Sequence, residues 1–92
     1  MNDITRKMGT LMSLEIPYLV QIDATTAMLK LPPSWECMID VSSPTYNWVA
    51  KSSEGVYDWQ NSPVVPDGIK EQISTVASKY NDALMELIDR VE

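Results

Sequence analysis

The chain lacks histidine altogether, and that one absence removes the commonest general base, the Ser/His and Cys/His nucleophile arrangements, and the commonest transition-metal ligand. It has one cysteine among 92 residues, so an intrachain disulfide framework is impossible and a cysteine-based structural zinc site has no ligand set. Its three glycines, Gly9, Gly55 and Gly68, stand apart from one another, which leaves neither a phosphate-cradling loop nor a dinucleotide fingerprint. Positive charge is also scarce. With 7 Lys and Arg against 13 Asp and Glu, the net charge is -6, which disfavours attraction to a phosphate backbone or an anionic membrane surface. No apolar run approaches the ~18 residues needed to span a bilayer, and the N-terminus lacks the basic region, apolar stretch and small-residue cleavage site of a secretion signal. The expectation is a cytoplasmic protein in a reducing compartment, with no cofactor, no bound metal, no direct nucleic-acid contact and no membrane contact.

What remains is an ordinary globular balance, 45% hydrophobic and 22% charged, in a chain long enough for one core and too short for two. We therefore expect one domain over residues 1–92. The most informative stretch is residues 64–92. Ile69, Ile73, Val76, Tyr80, Leu84, Leu87 and Val91 recur at steps of three or four, which places them along one side of a long helix. Asp67, after Pro66, is the expected N-cap. Lys79 with Asp82, and Glu86 with Arg90, stand at helical pair spacing. Residues 3–12 offer Ile4, Met8, Leu11 and Met12 for a short first helix, with Gly9 as its weak point.

Between the helices the period shortens to two. Leu14, Ile16, Tyr18, Val20 and Ile22 alternate with mostly polar residues, predicting a first strand with these five on its inner face, Leu19 as the outer exception and Pro17 favouring an edge position. Ala27, Leu29 and Leu31 predict a second strand, and Trp35, Cys37, Ile39 and Val41 a third. Tyr46, Trp48 and Ala50 predict a fourth within residues 45–51. The loop 52–55 ends in Gly55 and leads to a returning strand over residues 56–59. The fold expected is therefore α+β: a short N-terminal helix, a four- to five-stranded antiparallel meander, and a long C-terminal helix packed on one sheet face.

Candidate chemistry is thin. Glu36 with Asp40, and Glu54 with Asp58, are the pairs available for acid/base work, but both fall on predicted solvent faces or loops. No acidic loop supplies the 6 to 8 oxygens, or about that number, that calcium takes. Cys37 lies between Trp35 and Ile39 on an apolar strand face, the setting of an inert core thiol. Trp35, Tyr46, Trp48, Tyr57 and Trp59 fall on successive strands, where they either build the core of a domain without phenylalanine or present an aromatic patch to a protein partner. On the last helix Glu71, Thr75, Ser78, Asp82, Glu86 and Asp89 form a stripe away from the apolar side, a row of negative charge suited to a basic protein surface.

These features lead to the expectation of a small, acidic, non-enzymatic protein-binding module of inhibitor, immunity or regulatory type. Its partner would be another protein, and its binding residues would be drawn from Glu71, Asp82, Glu86 and Asp89 on the helix or Trp48 and Trp59 on an aromatic sheet face. The alternative is a structural or assembly subunit that self-associates, as a homodimer or larger homo-oligomer, through the broad apolar end of the last helix at Ala83, Leu84, Met85, Leu87, Ile88 and Val91.

Overall fold

The structure, a computed structural model, describes the backbone of residues 3–90 and the side chains of residues 3–86. Helix α1 (Asp3–Ser13) leads into strands β1 (Leu19–Gln21), β2 (Thr26–Leu31) and β3 (Trp35–Asp40). A 3-10 turn (Thr45–Asn47) follows, then β4 (Val49–Ser52), β5 (Gly55–Asp58) and the long helix α2 (Asp67–Arg90). The five strands form one antiparallel sheet whose spatial order is the chain order. This is the α+β architecture that the alternating and helical periods imply.

The sheet is two-faced because its side chains alternate. Register pairs Leu29 with Cys37, Ala27 with Ile39, and Cys37 with Ala50, so these residues share one face. All are buried, and they join Met8 and Leu11 of α1 and Ile69, Ile73, Val76, Ala77 and Tyr80 of α2 in one continuous core. Both helices therefore cover the same side. The intervening residues Met28, Lys30, Met38, Asp40, Val49 and Lys51 point the other way, and none of them is buried. With 24 residues, α2 runs for about 36 Å against about 20 Å for a six-residue strand, so it outreaches the sheet.

Three local expectations need correction. The first strand is only three residues long, and its inner face carries Leu19, which lies opposite the buried Leu29, rather than Val20. Two backbone reversals displace the alternation. Glu15 follows α1 in the left-handed region at φ 54°, and Pro17-Tyr18 forms a turn closed by the Leu19 amide donating to the Ile16 carbonyl at 3.3 Å. Tyr18 takes the position of positive φ, 65°, that such a turn requires. As a result Tyr18, Val20 and Ile22 face solvent at 70%, 49% and 57% exposure.

The predicted fourth strand starts at Val49, because Pro44 initiates a 3-10 turn that turns Tyr46 outward. At the start of α2, the carbonyl of Pro66 accepts from the Ile69 and Lys70 amides, both at 3.0 Å, which makes Pro66 the capping residue and Asp67 the first residue inside the helix. There Asp67 acts as negative charge near the helix N-terminus rather than as a side-chain cap.

Candidate protein-interaction surfaces

The outer face of α2 is the first surface. Taking 100° per residue, Ile73, Val76, Ala77 and Tyr80 cluster on one side, while Glu71, Asp82 and Glu86 fall within an arc of about 60° on the opposite side, over about 22 Å of axis. The burial follows that geometry: the first four are buried and the three carboxylates are exposed. The expected pairing of Lys79 with Asp82 does not form. The ion pair found among the described residues is Lys30–Glu36, at 3.6 Å, and it lies on the sheet. Thr75 turns its hydroxyl back onto the Glu71 carbonyl at 3.0 Å, a bond internal to the helix that leaves the Glu71 carboxylate projecting. Asp89, Leu87 and Ile88 lie outside the residues whose side chains are described, as does Arg90, and Val91 lies outside the described backbone.

The tryptophans fall elsewhere. Trp48 and Trp59 are 1% and 5% exposed, so the structure places both indoles inside the core and out of reach of a docking partner. Trp59 Nε1 donates to the Thr45 carbonyl at 2.9 Å, and the Trp48 ring packs against Tyr80 with centroids 5.9 Å apart. Trp35 rests against Tyr57, centroids 6.0 Å apart, half-buried at the end of the sheet. In a chain without phenylalanine these rings supply the large core volume. Among the described residues two buried polar atoms, Trp48 Nε1 and Tyr80 Oη, have no hydrogen-bond partner.

The second surface is the sheet face opposite the helices. Register lines up three rows across it. At the centre run Val20, Met28, Met38 and Val49, and the row ends in Asp58 on β5. On one side lie Lys30, Glu36, Lys51 and, on β5, Val56, and on the other Thr26 and Asp40. Sequence reasoning missed this apolar row because the misplaced first strand put Val20 inside. The available signal was Met28 and Met38 on the side of their strands opposite Leu29 and Cys37.

Concave sites are shallow. One of about 600 Å³ at the β2–β3 turn is lined by Pro32, Pro33, Trp35, Lys30, Glu36 and Lys51. Another, of about 330 Å³, lies between the α1–β1 connection and α2, with Leu14, Ile16, Leu29 and Val76 among its walls and Lys79 at its margin. Cys37 reaches neither. It is fully buried, and desolvation pushes its thiol up to about 12, so it stays protonated at neutral pH. The paired carboxylates are occupied locally: Asp40 accepts from the Ser42 amide and hydroxyl, and Asp58 from the Gln60 amide and the Asn61 side chain. Among the described residues no three His, Cys, Asp or Glu side chains are grouped to hold a metal ion, and no helix is long and apolar enough to cross a membrane. Compared with protein-family models, with curated proteins and with solved structures, the chain finds no match in any of the three.

Proposed function

We propose that this chain is a small non-enzymatic protein-binding module that meets a partner with a basic surface through the outer face of α2. The observation that carries the reading is the alignment of Glu71, Asp82 and Glu86, exposed and without ion pairs to other described residues, on a helix whose opposite side is locked into the core. A carboxylate held by a rigid element, with no described cation paired to it, presents its charge to an approaching protein, and such charges chiefly accelerate encounter. Among the described side chains, Lys79 lies at the margin of this arc and tempers it.

The test pairs wild type with an Asp82→Lys, Glu86→Lys variant. Both positions are exposed, so the fold should be preserved, and affinity capture should lose its partner with the variant. With the captured partner purified, association should slow as salt rises from low to physiological concentration, dissociation should change little, and the variant should associate slowly throughout. Association rates insensitive to both salt and charge reversal would remove the acidic face from the account.

A further inference from the structure

We propose that the recess between the β3–β4 connection, α1 and α2 is a binding site for a small monocarboxylate, with the Lys7 ammonium and the hydroxyls of Ser43, Thr45 and Tyr80 as its donors. This inference does not rest on the acidic face of α2.

The recess follows from the way the chain leaves β3. The Asp40 carboxylate accepts from the Ser42 amide and the Asp40 carbonyl from the Ser43 amide, which turns the chain off the sheet, and Pro44 then starts the 3-10 turn. Thr45 ties the resulting arch down. Its carbonyl accepts from Trp59 Nε1 at 2.9 Å, and its hydroxyl accepts from the Asn81 side-chain amide of α2 at 3.3 Å. A hollow of about 270 Å³ is left between this arch, Lys7 of α1, and Tyr80, Asn81 and Leu84 of α2.

The lining is rich in donors. Among the described residues Lys7 is its one charged side chain; it is half-buried and forms no ion pair, not even with Asp3 one turn earlier on α1. The Thr45 hydroxyl, already accepting from Asn81, has its own proton to give, and Ser43 brings another. Ser42 is not among the donors, because its hydroxyl already donates to Asp40. Tyr80 is the most telling member: it is 1% exposed, and its oxygen has no partner among the described residues. A phenol held there against the stability of the fold calls for a reason outside the fold.

This set selects the ligand. Converging donors with no carboxylate among them fit an oxyanion, and the single lysine fits a single negative charge. A phosphate monoester carries close to two charges at neutral pH, which a chain of net charge -6 opposes. Val41, Pro44 and Leu84 supply apolar wall for a hydrocarbon body, and the volume limits that body to a short chain or one ring. Leu84 stands one turn from Tyr80 on α2, and its half-buried side chain is the cover that the carboxylate displaces to reach the phenol. Made away from bulk water, that bond is worth more than its surface counterpart.

Acetate, butyrate and benzoate, titrated into the intact chain at constant ionic strength and followed by amide NMR, test the assignment. Butyrate or benzoate should saturate with a dissociation constant of about 0.1–5 mM, with shifts concentrated at Lys7, Ser43, Thr45 and Asn81. Benzamide, the same shape without the charge, should bind at least about tenfold more weakly than benzoate. Lys7→Met, which keeps the apolar stem, should weaken carboxylate binding at least about threefold. Tyr80→Phe should weaken it at least about tenfold while melting no lower than wild type, a combination that a merely structural role for the hydroxyl would not produce. No saturable binding of any of the three carboxylates below about 20 mM, shifts centred elsewhere, benzamide or inorganic phosphate binding as tightly as benzoate, or a folded Tyr80→Phe that binds as wild type does would each overturn the proposal.

Discussion

Tyr80→Phe should make the protein more stable, against the usual direction of core substitutions. Tyr80 is 1% exposed, and its hydroxyl has no hydrogen-bond partner among the described residues, so folding takes the oxygen out of bulk water without a described protein group to replace it. A buried unsatisfied group of this kind costs about 1–3 kcal/mol. Phenylalanine keeps the ring, including its tilted packing on Trp48, and deletes only the stranded oxygen. Taking the low end, the gain is about 1 kcal/mol, equivalent to a rise of about 4–8 °C in Tm for a domain of this size.

The phenol supplies a second, independent signature. Burial pushes it up to about 12 from 10.0. Above pH 10 the unfolded chain releases this proton while the folded chain retains it, so the unfolded state binds fewer protons and stability falls as pH rises. One pH unit into that window the loss is about 1.4 kcal/mol. The advantage of Tyr80→Phe should thus grow from about 1 kcal/mol at pH 7 to about 2.4 kcal/mol at pH 11, with Cys37 and the exposed tyrosines contributing equally to both proteins. Urea titrations at the two pH values measure it as a shift in midpoint at constant slope. A variant less stable than wild type at pH 7, or an advantage that does not change with pH, would refute the argument.

Two further substitutions probe the loops. Asp23 accepts from the Thr25 and Thr26 amides, both at 2.9 Å, and the Thr25 amide first among these bonds lowers its pKa; its contribution is therefore complete above pH 3.8 and lost as pH falls below it. Asp23→Asn mimics the protonated side chain, so it should be less stable than wild type near neutral pH, and the two midpoints should converge as pH falls below 3.8; a gap that does not close would show the carboxylate is not the titrating group. Glu15→Gly should relieve a left-handed residue costing about 1–2 kcal/mol, less about 0.4–1 for glycine's larger unfolded entropy, and Glu15→Val should destabilise. Equal melting temperatures for the two variants would count against the assigned backbone conformation.

The central strands were legible because burial on one face forces strict alternation: Ala27, Leu29 and Leu31, and then Cys37, Ile39 and Val41, are all buried. The long helix was legible for the corresponding reason at its own period. Beginnings were harder. Leu14 to Ile22 alternates as a strand does, yet the chain turns twice there on residues that rarely adopt positive φ, and no glycine or asparagine marks the turns. Asp67 was displaced by one residue because a proline carbonyl starts the helix as well as an aspartate's does. The candidate surfaces are legible only in part. Helical spacing alone brings Glu71, Asp82 and Glu86 together, whereas the row from Val20 to Val49 exists only once four strands are in register. The tryptophans illustrate the opposite limit, since spacing on strands says which residues share a face and not which face the helices will cover.

The chain order of the strands has a consequence for how the molecule is made. Each strand pairs with its immediate predecessor, so a ribosome delivering the chain can let the meander zip up hairpin by hairpin, with short loops to close. Of the two helices that share the core with Leu29, Cys37, Ile39 and Ala50, α2 contributes more buried residues, and it follows all five strands in the sequence. During elongation the sheet therefore stands without its principal cover, with apolar residues on both faces and an edge at each end. At synthesis rates of about 5–20 residues per second, α2 takes a few seconds to arrive. That interval, rather than any step of the finished protein's life, is when this fold is most in need of a chaperone.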